Sequence, residues 1–79
     1  MDWRERISSD PGTLMGKPVV KGTRIPVELI LGWLAQGWTH EMVLEAYPQI
    51  SRDDLLAALG FAADMMRDEQ YLAAHKAAA

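Results

Sequence analysis

Cysteine is absent from all 79 residues. That excludes a disulfide framework and a thiolate zinc site as supports for a core near the lower size limit for independent folding. The two histidines, His40 and His75, lack ligand spacing, so neither a metal nor a catalytic role is expected of them. Asp64 and Asp68 share a helical face, which reads as a solvated acidic surface. No apolar run reaches the length of a membrane span, and the opening Met1-Asp2-Trp3-Arg4-Glu5-Arg6 has no apolar signal core. A cytoplasmic protein without membrane association is the expectation. No nucleophile–base constellation and no glycine-rich phosphate loop opens a helix. The sequence therefore predicts no enzyme, no cofactor and no small-molecule substrate. There is no internal repeat.

Apolar residues, by contrast, are plentiful. They make up 49% of the chain, with three tryptophans, a large share for one small domain. Such surplus suggests surface covered by oligomerisation or by a partner. Charge is unevenly placed within the net −3. Residues 1–24 carry five basic and three acidic side chains, whereas residues 25–79 carry three basic and eight acidic. A phosphate-binding surface would draw on the N-terminal third. The acidic remainder would suit a basic protein partner, or simply solubility.

One domain spans residues 1–79: an arm over 1–15, a β-hairpin over 16–26, a helical core over 27–71 and a fraying tail over 72–79. The hairpin is Gly16-Lys17-Pro18-Val19-Val20-Lys21-Gly22-Thr23-Arg24-Ile25-Pro26. Lys21-Gly22 is its turn, since glycine takes a positive φ at little steric cost, and β-branched residues flank it. Two prolines that cannot donate to a ladder keep the strands at an edge. Ile7-Ser8-Ser9, closed by Asp10-Pro11-Gly12, is a third extended piece that completes a small sheet or pairs with a second chain.

The first helix starts with Pro26 in an initial helical position and ends at Gly37. Val27, Ile30, Leu31 and Leu34 share one face, and Leu29 and Trp33 add apolar area on another. A helix apolar nearly all round is covered on two sides, and Gly32 permits close approach. Thr39 caps a short helix over His40–Tyr47 with Val43, Ala46 and Tyr47 inward, stopped by Pro48. Ser51 caps the third, and Ser51-Arg52-Asp53-Asp54 has the form of a capping box. Leu55, Leu59, Ala62 and Met66 form its core stripe, with Leu56, Ala63 and Tyr71 alongside. Ile50 plugs the turn between the last two helices. A packing helix, a short helix, a tight turn and a longer capped helix make a helix-turn-helix layout.

The block Gly16–Val27 (GKPVVKGTRIPV), the later Gly37-Trp38-Thr39 and then Tyr47-Pro48-Gln49-Ile50-Ser51 resemble the bacterial family called domain of unknown function 433. The resemblance runs from about Ile7 to Met66, and residues 67–79 lie outside it. It implies a mainly α, three-helix, helix-turn-helix-like (homeodomain-like) domain with a short N-terminal β-hairpin. It also implies an antitoxin role, because many members are regarded as antitoxins paired with a small toxin of PIN-like nuclease fold. Operator DNA and a second copy of the chain are the further partners expected.

Candidate DNA-binding residues are Lys17, Lys21, Thr23, Arg24, Ser51 and Arg52. Arg24 could clamp a phosphate, or bind a carboxylate or a helix C-terminus of its own fold. Lys17 and Lys21 would join that patch, or protect a strand edge. Arg52 at the start of the recognition helix could read guanine, whereas Asp53 and Asp54 would repel phosphate and suit the helix dipole. Candidate dimer-interface residues are Val19, Ile25, Leu29, Gly32 and Trp33. Trp33, Trp38 and Tyr47 read as core or interface anchors in preference to a platform for single strands. A protein-interaction homodimer without any nucleic-acid role is the competing function.

Overall fold

The computed structural model describes residues 2–12 and 14–67. A 3₁₀ turn, Trp3–Glu5, leads into strand β1 (Ile7–Ser8), which pairs antiparallel with β2 (Val19–Val20). Three helices follow: α1 (Val27–Ala35), α2 (His40–Ala46) and α3 (Arg52–Met66). The domain is mainly α with a short N-terminal antiparallel β pair, as the sequence predicts. Any continuation of α3 to residue 71 and the tail over 72–79 lie outside the described residues.

β2 has two neighbours. On one side the register is Ile7 with Val20 and Ser8 with Val19. On the other the chain turns at Gly22 (φ 82°) and returns along β2, where a single bridge joins Val19 to Pro26. The Val20 N–H donates to the Ile25 carbonyl at 3.0 Å, and the Val27 N–H to the Pro18 carbonyl at 2.9 Å. Regular ladder pairing thus goes to the N-terminal arm, because proline supplies no N–H on the returning segment. The arm is held by an Asx turn, in which Asp10 Oδ1 accepts from the Gly12 N–H at 2.9 Å.

Pro26 departs from expectation. It is the N-cap of α1, with extended backbone (φ −69°, ψ 145°), because it is still engaged in the bridge to Val19. The other helix ends follow the sequence. Gln36 closes α1 and Gly37 takes the left-handed turn (φ 97°). Thr39 Oγ1 accepts from the Met42 N–H at 3.1 Å. Ser51 and Asp54 form both halves of the capping box that opens α3.

The core is made of Ile7, Val20, Ile25, Val27, Ile30, Val43, Ile50, Leu55, Ala57 and Ala58. Ile50 is buried as the inter-helix plug. On α3, however, the buried stripe is Leu55, Ala57 and Ala58, while Leu56, Ala63 and Met66 are exposed and Leu59 and Ala62 half-buried. Ala46 on α2 is exposed as well. The alanines turn inward because α3 lies close against the rest of the fold, where a bulky stripe would not fit. Tyr71 falls outside the described residues.

Candidate functional site

The outer face of α1 carries an open groove with a mainly apolar lining. Pro26, Glu28, Leu29, Gly32, Trp33 and Gln36 line a groove of about 440 Å³. Its floor is free of a side chain at Gly32, where an added Cβ would meet nothing within 4 Å. Trp33 is fixed by two contacts. Its ring stacks on Trp38 (centroids 4.2 Å apart, planes at 23°), and its Nε1–H donates to the Tyr47 hydroxyl at 2.9 Å. Beyond the stack, Trp38, Met42, Glu45 and Ala46 line a second groove of about 340 Å³ on α2.

Of the residues expected at a dimer interface, Leu29, Gly32 and Trp33 lie together on this face. Val19 and Ile25 do not. Both are buried within their own chain, at 4% and 7% exposure, because the returning segment folds onto β2 and beneath the helices. They cannot contact a second copy without unfolding the hairpin.

The candidate phosphate contacts are distributed differently. Lys17 Nζ is held 2.7 Å from Glu28 Oε1 at the rim of the α1 groove. Thr23 is structural: its hydroxyl donates to the Val20 carbonyl at 2.7 Å and accepts from the Ile25 N–H at 3.0 Å. Arg24 is exposed, and among the described residues no carboxylate pairs with it. Lys21 lies beside the start of α3, lining a shallow depression with Glu5, Arg6 and Asp54. Arg52 is exposed in the first turn of α3, and Ser51 is committed to its cap.

Sequence reasoning missed Arg6. Its guanidinium bridges the two acidic residues in the first turn of α3, 3.0 Å from Asp54 and 3.6 Å from Asp53. Burial alone would raise the Asp54 pKa. The Ser51 N–H, the Arg6 guanidinium and the Ser51 hydroxyl outweigh it, and the carboxyl is held below its ordinary 3.8. A carboxyl lowered in the folded state adds stability above its unfolded pKa. That contribution is lost as pH falls below 3.8 and through the lowered folded value. An acid titration followed by circular dichroism should therefore be shallower for Asp54→Asn than for the wild type in that window. At pH 7, Ser51→Ala should cost about 1 kcal/mol in urea unfolding, the usual value of an N-cap.

The sequence profile of the family described as "Protein of unknown function (DUF433)" matches residues 7–62. The chain belongs to DUF433. A crystal structure of a DUF433 member from Anabaena variabilis superposes with a TM-score of 0.72 at 30% identity, covering 75% of this chain and 58% of that one. An uncharacterized protein of Sinorhizobium fredii, y4eO, is 40% identical over 55 residues, 70% of this chain and 25% of its own length. The chain thus spans a quarter of that curated relative and little over half of the Anabaena chain. The DUF433 match takes in both strands, the two grooves, the Trp33–Trp38 stack and the capping box of α3. Trp3 and Asp64 lie outside it, although they join the two ends of the fold. No helix among the described residues is long and apolar enough to cross a membrane.

Proposed function

We propose that this DUF433 protein is a non-catalytic, antitoxin-type binding module that neutralises a small PIN-like nuclease by direct contact. The observation that carries the reading is the open apolar face of α1, where Leu29 and Trp33 flank the bare backbone of Gly32. A surface of this kind on a small domain is a protein-binding surface. Co-expression with a nuclease-like protein encoded beside it should give a stable complex lacking the nuclease activity. Separate elution of the two proteins, with activity retained, would overturn the reading.

Operator binding is the second activity of the same module. Arg6 supports it by engaging Asp53 and Asp54, which reduces the repulsion that those carboxylates would exert on phosphate. Lys21, Arg24 and Arg52 are its contacts. Promoter DNA should be shifted at low salt and much less at moderate salt, and Lys21→Ala with Arg24→Ala should weaken binding at both. A folded double variant that binds as the wild type removes those two residues from the interface. The reading as a protein-interaction homodimer rests on the acidic opening of α3, Asp53 and Asp54. It would prevail if neither nuclease nor DNA bound while sedimentation gave the mass of a dimer.

A further inference from the structure

We propose that the Trp33–Trp38 stack is the centre of one continuous docking strip, built for a basic amphipathic helix of a partner protein. The inference rests on the antitoxin-type reading and specifies its partner's chemistry. Trp33 walls the groove on α1 and Trp38 the groove on α2, and the rings are in stacking contact. The two grooves therefore adjoin at the aromatic pair, and the proposed strip runs from one to the other across it. Its large exposed apolar side chains are Leu29 and Met42, one on either side of the aromatic pair.

The chemistry of the rim selects the occupant. Neither groove is lined by a lysine or arginine, whereas Glu28 and Glu45 line one each. Glu28 is already paired with Lys17. Glu45 and Glu41, one helical turn apart on α2, are exposed and have no ion-pair partner among the described residues. A second copy of the chain would bring the same acidic rim against this one, and like charges across an interface disfavour that pairing. A helix with leucines at i, i+3 or i+4, and i+7 and lysines or arginines beside them would satisfy both the apolar strip and the carboxylates. Gly32 fits such use. Its own fold does not need a missing Cβ there, yet glycine weakens the helix that carries it. Its absent side chain lets a partner backbone come close.

The test uses the full chain and two synthetic helical peptides with the same leucine face, one with lysine and one with glutamate on the other face. The three indole N–H resonances report the site, since Trp3 lies apart, packed on Phe61 of α3. The lysine peptide should shift the Trp33 and Trp38 signals and leave Trp3 unmoved, and the glutamate peptide should shift none. Glu41→Lys with Glu45→Lys should weaken binding about tenfold at low salt and less at high salt. Leu29→Ala with Met42→Ala should weaken it at both. Equal binding of the two peptides, or no binding by either, would overturn the inference. So would Trp33 and Trp38 signals that move with protein concentration alone, which would place a second copy on the strip. Failure here is separable from failure of the antitoxin reading. A nuclease that co-purifies undiminished with the charge-reversed variant sinks the strip alone, and lysine-peptide binding without any nuclease complex sinks only the antitoxin.

Discussion

Leu55→Ala is expected to lower the free energy of unfolding by about 2–5 kcal/mol, the range for truncating a fully buried leucine. Leu55 is completely buried in the first turns of α3, in the cluster that includes Ile30, Val43 and Ile50. Its neighbours on the inward face, Ala57 and Ala58, are too short to move into the space it would leave. A domain of this length holds about 4–12 kcal/mol in all, at the usual ~0.05–0.15 kcal/mol per residue. The variant should therefore lose a large part of its margin, and each kcal/mol should lower Tm by about 4–8 °C. Urea unfolding measures it, with an unchanged m-value showing that the denatured state is the same. A loss under about 1 kcal/mol would mean that the core collapses into the site, contrary to the close packing described. Because Leu55 anchors α3 in the core, the same variant should weaken every activity proposed for the outer faces.

Trp3→Ala should cost about 2–3 kcal/mol, below the ~3–5 typical of a fully buried tryptophan because the ring is only half-buried. The indole meets the edge of Phe61 at 4.9 Å with planes at 86°, and its Nε1–H donates to Asp64 Oδ2. A T-shaped pair contributes about 0.5–1.5 kcal/mol beyond its burial, and a hydrogen bond to a charged group about 1.5–3. The indole also packs beside Gly60, where a Cβ would lie 3.8 Å from the ring, at ordinary van der Waals distance. Arg4 lies over the ring, its guanidinium carbon 4.5 Å from the centroid, which adds a partly exposed cation–π contact. Trp3→Phe keeps the aromatic edge contact and loses the donor, so it should cost less than Trp3→Ala in the same urea series. Equal losses would show that the hydrogen bond carries the whole effect. Neither substitution should change peptide binding at Trp33 and Trp38. An effect there would mean that the N-terminal arm reaches the docking face through the helices.

The helix ends were legible because their causes are local. Thr39, Ser51 with Asp54, Gly37 and Pro48 each act within four residues of the backbone they terminate. The turn at Gly22 and the Asx turn at Asp10 were legible for the same reason. The covered face of each helix was harder to read. On α1 both Val27–Ile30 and Leu29–Trp33 are apolar, and periodicity alone does not say which the chain covers for itself. On α3 a stripe of large residues was expected inward, yet Ala57 and Ala58 face the core and Met66 faces out. Pairing across the chain was not legible at all. Trp3 finds Asp64 across 61 residues, and Arg6 finds Asp54 across 48.

From the sequence alone came a mainly helical domain with three helices, two of them capped by side chains, a small strand pair, family membership and more apolar surface than one small core absorbs. These follow from composition, spacing and short-range hydrogen bonding. Tertiary structure decided that Val19 and Ile25 are buried within their own chain, that Arg6 engages the two acids opening α3, and that Trp33 and Trp38 stack between two open grooves. Those outcomes depend on which surfaces meet when distant segments pack, and contacts between distant segments leave no periodic trace along the chain.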